Sequence, residues 1–564
     1  MSETNNVQFE RTSNDLINEK IETKINKKSE SFISKWTVLI ISILAQTIVV
    51  FDNGTLMIAA DSLTDTLSMS LSELQQANTI YPMVGAIFMI AGGMLGMIIG
   101  WRLQLQLGIA LLVFSSIAAA LAPNASVFIF GARVLAGLGG GMMVPAIFGY
   151  CTAHYKGKDQ ALAFGFLAGS VGLTGMLAPL FLGYIIDSFS YRASYYLVAI
   201  YCLLVLIFSF TLTNKKTNNT NLKFDFGGML LIGTGLLLII VSALYISKWG
   251  LISPLTQFSI GGYAPTIPIF LLGALFVVLF IKWEERMEQH ERDVIFPRAL
   301  RHNKQVLIGM FYCAMTYLLY PTMIFITITY LQLTGIFTAT ESGLIIGLNA
   351  FGMVTTSILT PSKLSHFSSR KLILLASSFC AVGVTLMWLA YNNQETSFLI
   401  YVAQFVFGLG CGIYASHAPY IITSSVSQKN AEQSSGLQTT SRNFGKALGV
   451  AILGTILAVS YSNSFKSYAE QSHELSSDTH SLIRSQMVIP FSSDIELANM
   501  MTSAQISKNE QTIILDLVEV SRLEGLRCAF GGFFLLLLIS VTVSRGLRKN
   551  IPDSNKGELS SVST

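Results

Sequence analysis

A single carboxylate, Asp52, lies in the stretch VVFDNGTLMIAA (49–60), which is otherwise almost wholly apolar. In the hydrocarbon core of a membrane an ionised carboxylate costs at least ~2.5 kcal/mol, so it should face a cavity or a partner. Its affinity for a proton would then depend strongly on its burial and on nearby cations, as a proton-coupled carrier requires. The structural alternatives are a carboxylate hydrogen-bonded into the helix packing and one that lies near the outer water.

Arg133 is the natural counter-ion for Asp52. Asp52 lies about 8 residues from the outer end of the first apolar segment and Arg133 about 6 residues from the outer start of the fourth, so at 1.5 Å per residue their depths agree within about 3–4 Å. We therefore predict that Arg133 biases Asp52 toward ionisation until a proton or a substrate intervenes. The alternative is that Arg133 caps carbonyl groups and holds the packing.

Other polar and aromatic side chains inside apolar segments are candidates for lining a substrate cavity. Aromatic groups with few charges suit an amphipathic or planar ligand. The same side chains would also fit lipid-facing or interhelical positions, and a lone histidine fits an interhelical hydrogen bond as well as a titrating site. The candidates are Tyr81, Tyr317, Gln332, Asn349, Tyr414 and His417.

The composition indicates that these residues lie in a membrane protein. The 564 residues are 52% hydrophobic and 12% charged, whereas a soluble domain carries roughly 25% charged residues. The six cysteines form no zinc or disulfide pattern, and no P-loop, Rossmann fingerprint or hydrolase motif is present. We expect no enzyme activity, no cofactor and no metal, and the net charge of +4 gives no indication of nucleic-acid binding.

The apolar segments predict fourteen membrane-spanning helices, each of which needs about 20 apolar residues. Lys and Arg concentrate in the loops that follow even-numbered spans, so the positive-inside rule places those loops and both termini in the cytoplasm. The predicted spans are 36–60, 75–100, 103–122, 127–150, 161–186, 192–213, 226–247, 264–282, 305–333, 342–361, 371–391, 397–424, 443–462 and 525–544.

One outer loop, 463–524, is unusually long and polar. Its apolar residues recur at approximately helical spacing. This spacing predicts a helical hairpin over the outer mouth of the protein, and a disordered loop is the alternative.

Two motifs resemble the major facilitator superfamily, and within it the fourteen-span drug:proton antiporter branch. In the fourth span, ARVLAGLGGGMMVPA is similar to the family's motif B, and in the fifth span GLTGMLAPLFLGYIID is similar to its motif C. The matching positions are Arg133, Gly137, Pro145, Ala178, Pro179 and Gly183. Pro145 and Pro179 allow kinks, and we expect Pro179 to serve as a joint when one half of the protein rocks against the other. For most of the glycines the alternative is ordinary close packing of membrane helices.

A third motif departs from the family pattern. Motif A, a loop after the second span, is reduced to GMLGMIIGWR, in which Gly93 and Arg102 remain and Met97 stands at the family's Asp position. In the family that Asp helps to latch the two halves on the cytoplasmic side. Spans ten and thirteen also lack the further acids that multidrug members often carry, which keeps a dedicated carrier open as an alternative to broad drug export.

The resemblance implies an all-α integral membrane protein with 14 transmembrane helices, arranged as two six-helix bundles plus two extra central helices. We expect a cytoplasmic tail (1–35), an N-terminal bundle (36–213), a linker with the two extra helices (214–304), a C-terminal bundle (305–547) that includes the 463–524 hairpin, and a second tail (548–564).

The predicted function is export of small amphipathic organic compounds, coupled to proton uptake at Asp52 by alternating access. We expect a monomer in the inner or plasma membrane. A metabolite or siderophore carrier of the same fold is the first alternative, and a membrane sensor that no longer transports is the second.

Overall fold

The computed structural model describes residues 36–56, 58–69, 71–212, 223–254, 259–334, 339–391, 398–486, 489 and 494–548. In these ranges the protein is helical, without strands. The long helices are α1 (Trp36–Leu56), α3 (Leu71–Ile99), α4 (Trp101–Leu121), α5 (Val134–His154), α6 (Gly157–Ser188), α7 (Tyr191–Ser209), α8 (Phe226–Leu244), α10 (Thr266–Gln289), α12 (Lys304–Thr334), α13 (Ala339–Lys363), α14 (Ser369–Ala390), α15 (Phe398–Thr423), α16 (Gln428–Gln471) and α19 (Lys508–Val543).

Shorter helices connect these spans. A π-helix, Val127–Arg133, leads directly into α5, and a 3-10 turn, Ser544–Gly546, follows α19. The others are α2 (Ala60–Leu67), α9 (Ile246–Trp249), α11 (Arg298–Arg301), α17 (Ser477–Ser485) and α18 (Asp494–Ser503).

Thirteen of the described helices are long and apolar enough to cross a membrane. The fifth predicted span falls on α6, which is not one of these thirteen, although its 32 residues give it a length of about 48 Å. The prediction of an all-helical membrane fold is confirmed. The count of fourteen spans stays a prediction.

The helices form two groups. In the first group α5 packs on α3 and α4, and α4 packs on α7; in the second, α12, α13 and α14 pack on α15, and α19 packs on α14 and α16. One apolar core lies in the first group, and a larger one lies mainly in the second group but also includes residues of α3 and α8. Helix α8 contacts both α3 and α16 and so sits against the junction of the groups, and α10 packs on α8.

The start of α4 and the end of α7 lie at one end of the protein, and we place the start of α12 and the end of α19 at the same end. Arg102 donates a hydrogen bond to the carbonyl of Phe210 at 2.9 Å, and Gln305 donates one to the carbonyl of Gly546 at 2.9 Å. We call this end the terminal face, because the described chain ends there, and the opposite end the distal face.

The two groups touch near the terminal face and separate toward the distal face. Along α6, a Cβ at Gly165 would collide with the Ser357 carbonyl of α13, and one at Gly172 would lie 3.3 Å from a carbonyl oxygen of α13. At Gly175, one turn further toward the distal face, no atom of the described residues lies within 4 Å of an added Cβ. The gap between the groups therefore opens on the distal side.

Helix α16 differs in extent from the predicted thirteenth span, 443–462. It starts at Gln428 and runs for 44 residues. The added first part is polar but buried, since it packs against α3 and α5 of the other group. Several of its hydroxyl groups donate to carbonyls of α16 itself, and Gln433 donates to the carbonyl of Val294 in the segment between α10 and α11, so the chain stays helical without being apolar.

Most of the described residues of the 463–524 segment are helical. Its first and last parts continue α16 and α19, with α17 and α18 between them, and the helical hairpin over the outer mouth stays a prediction. Phe465, Leu475, Ile483 and Val518 belong to a small apolar core of their own. This core gives the segment its apolar spacing, and its outer location stays a prediction.

Candidate functional site

The ion pair that the sequence suggests is formed in the first group. Asp52 lies in the last part of α1, and Arg133 is the last residue of the π-helix before α5. The side chain of Asn124 accepts a hydrogen bond from Val127 N at 3.0 Å where this π-helix begins. A π-turn inserts extra backbone into a helix and so re-aims the side chain that follows it. Arg133 is thereby directed inward.

Asp52 and Arg133 are joined by a short, buried salt bridge. Arg133 Nη1 lies 2.8 Å from Asp52 Oδ2, and each side chain is 1% exposed. The same guanidinium donates to the carbonyl of Ala77 at 3.3 Å and to Asn53 Oδ1 at 3.4 Å. The buried guanidinium thus has one carboxylate and two neutral hydrogen-bond acceptors. A salt bridge that is taken out of water needs such additional hydrogen bonds to offset its lost hydration.

The second carboxylate oxygen is left open. Among the described residues Asp52 Oδ1 is buried and has no hydrogen-bond partner, and the same is true of the hydroxyls of Tyr81 and Tyr195. The Tyr81 ring faces the guanidinium of Arg133, with 5.3 Å from Cζ to the ring centroid. Tyr81, proposed from sequence as a cavity residue, therefore belongs to the ion-pair site. Tyr195 was missed, because one tyrosine among many in apolar segments carries no distinguishing pattern.

The motif B and motif C residues pack around this site. A Cβ at Gly137 would lie 2.9 Å from the Tyr81 carbonyl, so α5 and α3 approach closely beside Arg133. Ala178 of α6 would lie 3.8 Å from a Cβ at Gly54 of α1, and a Cβ at Gly183 would lie 3.9 Å from Ile58. The two motif C contacts therefore fall on Gly54 in the last part of α1, which carries Asp52, and on Ile58 just beyond the end of α1.

Two further motif positions lie elsewhere. Pro145 is inside α5 and contacts Gly92 of α3, where an added Cβ would be 2.7 Å from the ring. Pro179 lies in α6, and its side chain is outside the described residues. Its mechanistic role stays a prediction.

The candidates in the second group lie apart from the ion pair. Asn349 donates to Gln404 Oε1 at 2.5 Å, and its own Oδ1 has no partner among the described residues. The Tyr414 hydroxyl lies 2.6 Å from Ser377 Oγ and 2.7 Å from Ser540 Oγ, inside the packing of this group. His417 is buried beside Tyr420. The Gln332 side chain is outside the described residues.

Tyr317 contacts a buried arginine, Arg442, that was not among the residues predicted from the sequence. The guanidinium of Arg442 in α16 lies 5.5 Å from the Tyr317 ring centroid and 3.9 Å from that of Phe148 in α5. Arg442 thus lies between the two groups. One turn further along α16 is Lys446, inside the predicted thirteenth span. A lysine within an apolar span was the available signal, whereas Arg442 fell one residue outside the predicted boundary.

The motif A region is part of the contact between the groups at the terminal face. A Cβ at Gly93 would collide with the carbonyl of Gln433 and lie 3.0 Å from the amide of Gly436, both in α16. Trp101 Nε1 donates to Glu432 at 3.1 Å. Gly93 and Trp101 of the motif A region thus contact α16, while Arg102 bonds within its own group.

The described residues include thirteen helices that are long and apolar enough to cross a membrane. Together with two helix groups and a buried ion pair in the first of them, they indicate a multi-pass membrane protein. A model of the Major Facilitator Superfamily matches residues 42–450. The chain belongs to this superfamily, whose members carry small organic substrates and are not enzymes.

Curated relatives agree with this assignment. The chain is 26% identical over 430 residues to a probable actinorhodin transporter of Streptomyces coelicolor (75% of this chain, 72% of the relative). It is 23% identical to the multidrug resistance protein Stp of Mycobacterium tuberculosis (71% of each). It is also 24% identical to the riboflavin transporter RibZ of Clostridioides difficile (77% of this chain, 91% of the relative).

A solved structure shows the same fold. The human organic anion transporter MFSD10 superposes with a TM-score of 0.53 over 90% of this chain and 99% of that one, at 11% identity. At this identity the likeness shows the fold alone.

Proposed function

We propose that this protein is a proton-coupled exporter of small amphipathic organic compounds, with Asp52 as the group that takes up the proton. The observation that carries the proposal is the salt bridge with its open second oxygen. Asp52 Oδ2 is held by Arg133, while Oδ1 has no partner among the described residues and is free to accept a proton.

Protonation of Asp52 would remove the charge that Arg133 now balances. A buried arginine that loses its carboxylate is strongly destabilised in its present position, although the Ala77 carbonyl and Asn53 still accept from it. The change would act on the junction of α1, α3 and α5, and through Gly54 and Ala178 on α6. Helix α6 is one of the helices that contact the second group.

This arrangement suits alternating access. A proton can shift the balance between two states only by binding one of them better than the other. The described state has its gap on the distal side and its ion pair in the distal part of α1. We place the distal face outside and the terminal face in the cytoplasm of a bacterial cell, so the proton enters from outside and drives return of the emptied carrier to the inside. We expect a monomer.

The relatives support export of organic compounds and also a second candidate. Two of them are named as an actinorhodin transporter and a multidrug resistance protein. The riboflavin transporter among them favours a carrier dedicated to one metabolite, with the same coupling chemistry.

Uptake into proteoliposomes under an imposed pH gradient tests the proposal. Fluorescein, rhodamine 6G and riboflavin serve as three planar probes. Wild-type protein should carry at least one of them faster with the gradient than without it. Asp52→Asn should keep its fold and its equilibrium binding of the probe but lose the effect of the gradient. Transport by Asp52→Asn with an unchanged dependence on the gradient would refute the role of Asp52.

Asp478→Asn is the matched control, because it makes the same chemical change on an exposed carboxylate of α17. It should behave as wild type. Riboflavin transport without dye transport would select the dedicated carrier. No flux of any probe under any gradient would select the sensor that no longer transports.

A further inference from the structure

The second group carries a buried arginine with no carboxylate partner. Arg442 is 8% exposed, and among the described residues no Asp or Glu lies within salt-bridge distance of it. The Cys313 thiol interacts with its guanidinium, but a neutral thiol cannot balance a charge. The other contacts of the guanidinium are the two aromatic rings, Phe148 and Tyr317.

A second cation follows one turn later on the same helix. Positions i and i+4 lie on one face of an α-helix, so Lys446 is on the face of Arg442. Its side chain is exposed. Because Arg442 contacts a ring from each of the two groups, this face of α16 is directed toward the space between them. No carboxylate of the described residues pairs with Lys446 either.

The two cations lie where the groups separate. Phe148 belongs to the first group and Tyr317 to the second, so Arg442 bridges them. Phe148 is 15 residues beyond Arg133 along α5, which places Arg442 about 22 Å closer to the terminal face than the ion pair. The gap that opens distally therefore has two cations near its closed end that no carboxylate of the described residues balances.

We propose that Arg442 and Lys446 form an anion-binding subsite, and that the substrate is an aromatic or planar compound carrying a carboxylate, sulfonate or phenolate. The guanidinium offers a planar fork of donors that suits such groups, and the rings of Phe148 and Tyr317 offer flat apolar walls. An uncompensated buried cation is costly in a membrane, and an anionic substrate removes that cost when it binds.

This inference rests on the proposed function, since it assigns a substrate class to the same carrier. It also restricts the proposed substrates to anionic compounds. A carrier of cationic drugs needs acidic groups in its cavity, whereas the closed end of this gap is basic.

Equilibrium binding to the purified full-length protein tests the inference without any gradient. The probes are fluorescein, an anionic xanthene dye, and rhodamine 6G, a cationic dye of similar size, and fluorescence polarisation is the readout. Wild type should bind fluorescein more tightly. Arg442→Gln and Lys446→Gln should each weaken fluorescein binding about tenfold or more, because a hydrogen bond to a charged group is lost. Binding of rhodamine 6G should not weaken.

Conservative and distant variants serve as controls. Arg442→Lys and Lys446→Arg keep the charge and should restore most of the affinity for fluorescein. Lys371→Gln removes an exposed cation at the start of α14 and should leave binding unchanged. Lys446 is exposed, so Lys446→Gln carries the test even if Arg442→Gln does not fold. Added phosphatidylglycerol should not displace the dye; displacement would assign the subsite to a lipid headgroup.

The outcomes separate this inference from the proposed function. Tighter wild-type binding of rhodamine 6G, or an equal loss of both dyes in the Gln variants, overturns the anion subsite even if transport responds to a pH gradient. Conversely, intact fluorescein binding with transport that ignores the gradient in wild type overturns the proton coupling and leaves the subsite standing.

Discussion

Two of the buried arginines, Arg133 in the first helix group and Arg442 in the second, have different surroundings. Arg133 has a carboxylate at 2.8 Å and a tyrosine ring, Tyr81, at 5.3 Å. Arg442 has a tyrosine ring, Tyr317, at 5.5 Å and a phenylalanine ring at 3.9 Å, but no carboxylate among the described residues. The first site contains its own counter-charge, and the second does not.

The difference shows how one protein can respond to a proton at one site and to an anionic ligand at another. A site with an internal counter-ion responds to protons, because protonation of that counter-ion changes its charge. A site without one responds to an anionic ligand, because the ligand supplies the missing charge. The two sites are also separated in depth, with the ion pair toward the distal face and Arg442 toward the terminal face, so a proton and a substrate need not compete for the same atoms.

The largest expected effect is on folding stability and tests this contrast directly. Arg133→Gln leaves the buried Asp52 carboxylate unpaired and should cost about 3–5 kcal/mol. Arg442→Gln removes a cation that has no partner, so relief of its burial offsets the lost ring contacts, and the net change should be within about 1 kcal/mol. Thermal unfolding of the purified variants in detergent, without dye, measures both.

The double variant Asp52→Asn/Arg133→Gln is the control for this prediction. It removes both charges and should recover a large part of the loss caused by Arg133→Gln alone. Equal destabilisation by Arg133→Gln and Arg442→Gln would show that Arg442 has a protein counter-charge and would remove the contrast.

Sequence reasoning reached the first site and not the second for a physical reason. Asp52 and Arg133 are both helical, and the fixed rise per residue converts their positions into depths. Arg442 lies in the first part of α16, which is polar yet buried between the groups. Hydropathy detects burial in lipid, so the predicted span begins at 443 and the residues before it were assigned to a loop.

The sequence also did not predict which helices contact one another. The motif B and C residues were identified by resemblance, but only the structure shows Ala178 and Gly183 against α1. Likewise Tyr81 and Tyr317 were both proposed as cavity residues, and the packing of α3, α5, α12 and α16 assigns each of them to a different arginine. Which helices lie side by side is a long-range property that hydropathy and spacing do not contain.

A smaller effect is expected on the balance between the described conformation and one in which the distal gap is closed. A side chain at Gly93 would collide with the α16 backbone at the terminal face, whereas Gly175 has open space around it. Gly93→Val should therefore disfavour the described state by about 1–3 kcal/mol and close the distal gap above Arg442. Gly175→Ala should have no such effect.

Distances between spin labels measure this shift. Ser188→Cys and Leu344→Cys place labels toward the distal ends of α6 and α13, in a Cys528→Ser background that removes the exposed native cysteine. Gly93→Val should add a population with a shorter distance, and Gly175→Ala should leave the distribution unchanged. An unchanged distribution in Gly93→Val would mean that the Gly93 contact does not hold the groups together.

The smallest expected effect compares the two tyrosines that face the arginines. Tyr81→Phe and Tyr317→Phe keep the rings, and no hydrogen bond of either hydroxyl is found among the described residues, so each should change stability by less than about 0.5 kcal/mol. Tyr81→Leu and Tyr317→Leu remove a cation–π contact worth about 0.5–2 kcal/mol, with the larger values where the cation is least compensated. The loss should therefore be greater at Tyr317, measured by thermal unfolding. A greater loss at Tyr81 would mean that Arg133 depends on its ring as well as on Asp52, and that the two arginines differ less than their contacts indicate.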